Sequence, residues 1–216
     1  MKHIHLIGIG GTGLSAIAKL LKESGYQVSG SDQVVGPLAA ALIEMGIQVY
    51  EGHQAENIAG ADVVVQSSAV AADNPEIVAA RAAGIPVFKR SEFLGRLLAG
   101  KTGIGVAGTH GKTTTTSMIA WMLTTLGRDP SYIVGGVIKG LDSNAHAGSG
   151  AEFVIEADEY DRMFHGLHPQ VAVITNMEHD HPDCYPTLQD YRQAFVQYAC
   201  SVKPGGLVLL CADDPA

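Results

Sequence analysis

Apolar positions in residues 1–90 alternate between two patterns. Short, nearly continuous apolar runs cover residues 3–8, 27–31, 47–50, 62–66 and 86–88. Between the first two, Leu14, Ile17, Ala18 and Leu21 recur at the spacing of a helix face. Gly25 is placed to end that helix. A second helix opens at Asn74-Pro75-Glu76, a capping residue followed by a first-turn proline and an acid, and stops at Gly84 before Pro86. A third fits 91–98. Repeated βα units of this kind predict a mostly parallel sheet covered by helices.

Residues 99–103 (Ala-Gly-Lys-Thr-Gly) are small and polar and mark a domain boundary. A strand at 104–107 then runs into a Gly/Thr-rich loop. The helix that follows is expected to carry Met118, Ile119, Met122, Leu123 and Leu126 on one face. Further strands fit 153–156, 171–175 and 207–211. A helix over 188–199 opens on Thr187 and Asp190, spaced as in a capping box. No internal repeat or low-complexity tract interrupts the pattern.

Composition narrows the function classes. Apolar residues make up 46 % of the 216 and charged residues 17 %, as in a globular protein. The net charge is −8, and Lys89-Arg90 is the basic pair that stands out, which argues against nucleic acid as a partner. Anions must then be bound by local devices such as helix N-termini, glycine loops, single cations or a metal ion. No apolar run reaches the roughly 18–20 residues of a membrane span. The start of the chain reads directly into a strand without a signal-peptide pattern, so a cytoplasmic location is expected. Cys184, Cys200 and Cys211 form neither a disulfide framework nor a metal-ligand spacing.

Two loops carry chemistry. Gly8-Ile9-Gly10-Gly11-Thr12-Gly13 matches G-x-G-x-x-G between a strand and a helix. Its glycines allow close approach of a diphosphate, and the helix N-terminus adds N–H groups and partial positive charge. Asp32, at the end of the second strand, is where an acid would meet a ribose hydroxyl. The pattern specifies a diphosphate with a ribose and does not name the base. The competing reading is a tight β–α turn and nothing more.

Gly108-Thr109-His110-Gly111-Lys112-Thr113-Thr114 is a shortened phosphate loop, because Val106 stands where the full spacing needs glycine. Loop N–H groups can cradle phosphates, Lys112 can reach the β and γ oxygens, and the Thr113 hydroxyl can hold Mg²⁺. Threonine capping of the helix would explain one Thr but not the adjacent Gly-Lys. Two strand ends supply acids and imidazoles, Glu156-Ala157-Asp158-Glu159 and Thr175-Asn176-Met177-Glu178-His179-Asp180-His181. Ligands in open α/β sheets bind at such carboxyl ends. A solvated acidic loop and surface histidines are the alternatives for these segments. The expected fold class is α/β, with a Rossmann-like parallel-sheet domain over 1–100 and an ATPase-type phosphate-loop domain over 101–216.

These residues resemble the Mur ligases of bacterial peptidoglycan synthesis, most closely the alanine-adding branch. The matching segments are 8–13 with Ser31-Asp32, Ser67-Ser68-Ala69 followed by 73–76, 108–116, 156–161, 175–181 and 211–215, in the expected order over essentially the whole chain. The resemblance implies that the first domain binds the UDP of UDP-N-acetylmuramate rather than a dinucleotide. Gly10, Gly11, Thr12 and Gly13 would meet the diphosphate. Ser31, Asp32, Ser67, Ser68 and Ala69 would surround the uridine and its pyrophosphate, with Arg90 as an anion contact. In the second domain Gly108, Thr109, His110, Gly111, Lys112, Thr113 and Thr114 would bind ATP. Lys112 would stabilise the transferring phosphoryl group. Thr113, Glu156 and His181 would hold Mg²⁺ or Mn²⁺, and His110 and Asn176 would orient the substrate carboxylate and the γ-phosphate. The implied reaction phosphorylates the lactyl carboxylate and lets the amine of L-alanine displace phosphate.

The sequence departs from the family pattern in three ways. No lysine occurs between Lys139 and Lys203, so there is no candidate for the carbamylated metal-site lysine of some relatives, as suits the alanine-adding branch. His179 and Pro182 make the second acidic segment unusually rich in His and Pro, and His179 has no assignable role. The chain stops soon after a late strand of the ATP domain, so the remainder of that domain and the domain handling the amino acid are expected to lie outside it, leaving these residues inactive alone. A ligase that returns a tripeptide to the same UDP-sugar, and a non-catalytic UDP-sugar and ATP-binding module, remain alternatives. An NAD-dependent oxidoreductase would leave the phosphate loop unexplained.

Overall fold

The computed structural model describes residues 2–213 and divides into two compact units. The first comprises the residues up to Phe93 together with Ala145–Ala147, and the second comprises Leu94–Asn144 and the residues from Gly148 onward. The two compact units part within a helix that begins at Arg90. Asp214 and Pro215, part of the last family-like segment, lie outside the described residues.

The first unit runs β1 (His3–Ile7), α1 (Thr12–Glu23), β2 (Gln27–Asp32), α2 (Pro37–Glu44), β3 (Gln48–Glu51), β4 (Val63–Gln66), α3 (Pro75–Ala82) and β5 (Val87–Lys89). Helix α4 (Arg90–Leu97) follows. The sheet is parallel in the order β3-β2-β1-β4-β5. Consecutive strands therefore depart in opposite directions from β1, which opens a crevice at the carboxyl ends of β1 and β4. All five residues of β1 are buried, as a central parallel strand requires. Its two histidines are accommodated by one hydroxyl, since His3 Nε2 and His5 Nδ1 each lie 2.8 Å from Ser29 Oγ. Gly30 has no alternative on β2, because a Cβ there would stand 2.5 Å from the Leu6 carbonyl oxygen. Ile7, Ile58, Val64, Ile77 and Ala80 form a core on one face.

The second unit is built on β6 (Thr102–Ala107), α5 (Lys112–Thr125), β7 (Ser131–Ile138), β8 (Ser143–His146, of which Ala145 and His146 group with the first unit), β9 (Glu152–Glu156), β10 (Val171–Ile174), α6 (Leu188–Cys200) and β11 (Leu207–Leu210). Its sheet has the order β11-β10-β6-β9-β7-β8, and β6 pairs in parallel with both β9 and β10. The register sets Val106 opposite both Glu156 and Val173, bringing the ends of three strands level. The capping box at Thr187 and Asp190 forms as expected.

Helix α5 corrects the sequence expectation. Its packed side is Thr116 and Ala120, flanked by half-buried Ile119 and Leu123, while Met118, Trp121, Met122 and Leu126 are exposed. Small residues let the helix settle closely on Tyr132, Val134 and Val154, and an apolar count does not register them. Helix α2 and strands β7 and β8 were not expected. In α2 apolar residues lie on both the buried side (Ala39, Leu42) and the exposed side (Leu38, Ile43), so no stripe shows. Gly135 and Gly136 interrupt the strand pattern of β7.

Candidate functional site

The crevice of the first sheet is a cavity of about 780 Å³. After β1 the chain turns through Gly8, whose φ of +86° and whose contact with Ser67 both favour glycine. Of the expected residues, Gly10, Gly11, Asp32, Ser67 and Ala69 line the cavity. Asp32 Oδ2 accepts the Gly10 N–H at 2.8 Å and Oδ1 accepts the Gln33 N–H at 2.8 Å, so the carboxylate ties the glycine loop to the end of β2. A Cβ at Gly13 would overlap Arg90 Nη1, so Gly13 lets the guanidinium lie over the start of α1. Thr12, Gly13, Ser68 and Arg90 stand outside the cavity wall. Gln33, Val34, His53, Val70, Asp73 and Asn74 line it and were not anticipated.

Ser31 is also behind the wall, fully buried. Its hydroxyl donates to Glu76 Oε2 at 2.6 Å and lies 3.1 Å from His53 Nδ1. Glu76 itself is fully buried on the first turn of α3, where Asn74 caps its N–H. Asn57 Nδ2 donates to Glu76 Oε1 at 2.6 Å, and His5 Nε2 lies 3.5 Å from Oε2. Burial pushes the Glu76 carboxyl up, but His5, Ser31 and Asn57 outweigh it and hold the group below its ordinary range. The sequence signal for His53 was its place just past the end of β3, the same rule that found Asp32.

The second site is built where β6, β9 and β10 end. Gly108 (φ +132°) and Gly111 (φ +83°) shape the loop between β6 and α5. A Cβ on Gly108 would overlap Thr175 Oγ1. The segment after β10 clamps the loop. Asn176 Oδ1 accepts the His110 N–H at 2.9 Å, and Thr175 Oγ1 and Asn176 Nδ2 donate to the His110 carbonyl. Thr109 Oγ1 donates to the Glu178 carbonyl, accepts the Glu178 N–H and lies 2.8 Å from the Tyr191 hydroxyl. Thr109 and Asn176 thus fix the loop's shape, while the His110 ring is mostly exposed near Glu178.

Lys112 Nζ donates to the Gly108 and Thr109 carbonyls and to Glu159 Oε1 at 2.9 Å. Glu159 is fully buried and also lies 3.8 Å from His181 Nε2. On the other side Glu156 accepts the Gly135 N–H at 2.6 Å and a hydrogen bond from Thr113. Burial raises the Glu156 carboxyl above its ordinary range despite the opposing pull of Gly135, Thr113 and Lys112. Among the described residues no three His, Cys, Asp or Glu side chains gather as a metal-binding group. The expected metal set is accordingly divided, with Thr113 beside Glu156 and His181 beside Glu159. The half-buried Glu156 carboxylate and the neighbouring Thr113 hydroxyl suit a hard divalent cation. Asp161, Arg162 and His181 adopt positive φ without being glycine, as do Asp129 and Asp142 elsewhere in the second unit. Thr114, exposed on α5, lines a cavity with Thr113, Met118 and Trp121. His179 is accounted for by packing, because its Nε2 lies 2.9 Å from the Tyr185 carbonyl oxygen and its ring meets Tyr191 edge-on.

Comparison with known proteins decides the family. Residues 3–102 match the Mur ligase family catalytic domain and residues 106–216 match the Mur ligase middle domain. The chain belongs to the Mur ligase family. This Mur ligase chain is 52 % identical over 215 residues to the UDP-N-acetylmuramate–L-alanine ligase of Chlorobium phaeovibrioides, a match covering 99 % of the chain and 46 % of that relative. It spans about half the length of the curated relatives it matches. Among solved structures it resembles the UDP-N-acetylmuramate–alanine ligase MurC of Thermotoga maritima, with a TM-score of 0.88 and 35 % identity over 99 % of this chain and 50 % of that one. It also resembles the UDP-N-acetylmuramate:L-alanyl-gamma-D-glutamyl-meso-diaminopimelate ligase of Neisseria meningitides, with a TM-score of 0.90 and 35 % identity over 100 % of this chain and 72 % of that one. No helix among the described residues is long and apolar enough to cross a membrane.

Proposed function

We propose that this Mur ligase chain is the nucleotide-handling portion of a cytoplasmic ATP-dependent ligase that joins L-alanine to UDP-N-acetylmuramate in peptidoglycan synthesis. The observation that carries the reading is Lys112 set between two carboxylates, Glu159 in contact with its ammonium and Glu156 paired with Thr113, at the mouth of a phosphate loop. The first unit holds the UDP moiety in the crevice after β1, with Asp32 and Ser67 on its wall. The N–H groups of 111–113, at the start of α5, cradle the ATP phosphates, while those of Thr109 and His110 are held by Asn176. Lys112 follows the transferring γ-phosphoryl group, and Asn176 and His110 orient it against the lactyl carboxylate. Bound magnesium or manganese supplies further positive charge to the phosphate oxygens, and Thr113 and Glu156 are the oxygen donors that would hold it, with His181 on the Glu159 side. The lactyl carboxylate takes the γ-phosphoryl group as ADP leaves, giving an acyl phosphate, which the amine of L-alanine attacks with release of phosphate.

A second reading, addition of a tripeptide to the same UDP-sugar, is favoured by the equal identity and fold likeness to the Neisseria ligase. ADP release, measured in a protein of full family length carrying these residues, separates the two. L-Alanine supports turnover under the first reading. Turnover with the tripeptide and not with L-alanine would replace it with the second.

A further inference from the structure

The network behind His53 decides which edge of its ring carries the proton. Glu76 is an ionised, fully buried acceptor, and the single Ser31 hydroxyl proton is committed to its Oε2 at 2.6 Å. Ser31 Oγ is then only an acceptor towards His53 Nδ1 at 3.1 Å. Nδ1 also lies 3.6 Å from the Glu76 carboxylate oxygen Oε2, whose negative charge favours a proton there. The opposite ring edge belongs to a side chain that lines the cavity after the glycine loop and stays 15 % exposed.

We propose that Glu76, acting through Ser31, is a positioning residue that fixes neutral His53 as the Nδ1–H tautomer, so that Nε2 faces the cavity as an acceptor and selects a base with a ring N–H, uracil over cytosine. The inference deepens the UDP reading of this cavity and rests on it. Uracil N3–H donates to such an acceptor. Cytosine presents a lone pair at the same ring position and leaves two acceptors facing each other, a mismatch that a hydrogen-bonding site rejects strongly.

Glu76→Gln inverts the relay. Its amide oxygen stays towards the Asn57 donor, its NH₂ faces Ser31, and the freed Ser31 proton turns to Nδ1, which moves the His53 hydrogen to Nε2. The test combines long-range ¹⁵N NMR of the His53 ring, which distinguishes the two neutral tautomers from each other and from the charged ring, with calorimetry using UDP and CDP. In the wild type the expected results are an Nδ1–H tautomer and UDP bound at least about tenfold more tightly than CDP. In Glu76→Gln the expected results are an Nε2–H tautomer and a UDP/CDP ratio reduced by about tenfold. A merely structural role for Glu76 would weaken both nucleotides equally and leave the ratio intact. A wild-type Nε2–H tautomer would overturn the proposal with no substitution needed, so it stays testable where the variant does not fold. An Nδ1–H tautomer without UDP binding would instead overturn the UDP reading, and the base assignment with it.

Discussion

Lys112 Nζ and Glu159 Oε1 lie 2.9 Å apart, and the carboxylate is buried while the ammonium stays partly accessible at the loop mouth. The Tyr185 hydroxyl, which burial pushes up to about 12, donates to the Glu159 carbonyl at 2.5 Å and holds that backbone. The phosphate loop and the acidic segment are therefore one electrostatic unit. Removing either partner leaves the other short of compensation. Lys112→Met and Glu159→Gln should each lower stability by about 2–3 kcal/mol, with a coupling of about 1–3 kcal/mol in a double-mutant cycle read by urea denaturation. Simple additivity would show that the pair contributes nothing.

Glu156 predicts a dependence on pH and cation. Its folded-state carboxyl is raised, so the folded state holds the proton more tightly than the unfolded chain. Stability from this group is greatest below the ordinary value of 4.5 and is lost as pH rises through the raised one. Glu156→Gln should therefore raise the thermal midpoint near neutral pH without divalent cations. Millimolar Mg²⁺ should raise the midpoint of the wild type and not of the variant. Equal responses of the two proteins in thermal melts would contradict the assignment.

Glu76 predicts the opposite sign in the first unit. Its carboxyl is lowered by its donors, so its stabilisation is complete above the ordinary 4.5 and is lost as pH falls through the folded value. Glu76→Ala strands the Ser31 and Asn57 donors and should cost about 3 kcal/mol at neutral pH. The loss should shrink in acid, as followed by urea midpoints across the pH range.

Gly108→Ala should weaken ATP binding at least about tenfold and cost about 2–3 kcal/mol, because its Cβ would overlap Thr175 in a backbone conformation that alanine rarely adopts. His179→Ala, by contrast, should cost about 1 kcal/mol of stability and leave nucleotide affinity unchanged. Fluorescent ATP-analogue titration distinguishes the two outcomes.

Strands with continuous apolar runs and helices with clear caps were legible in the sequence, as were the two glycine loops, because each rests on local chemistry. What escaped depends on packing. The buried side of α5 uses Thr116 and Ala120, which no hydrophobic count marks. Ser31 reads as a strand-end contact in sequence but sits behind the cavity wall, and His53 takes its place there. Glu159 stands three positions after Glu156, which was singled out for the metal, yet only the fold shows that it faces Lys112. The family-like segments between residues 8 and 181 nonetheless fall at strand ends or at the helix starts that follow them, as the parallel-sheet rule anticipates.

Calorimetric titration of the 216-residue chain with UDP-N-acetylmuramate, and with NAD as the competing ligand of a G-x-G-x-x-G loop, tests the central claim most directly. The account predicts saturable binding of the UDP-sugar, nearly unchanged in Lys112→Ala, and no heat with NAD. Binding of NAD without the UDP-sugar, or a large loss of UDP-sugar affinity in Lys112→Ala, would contradict it.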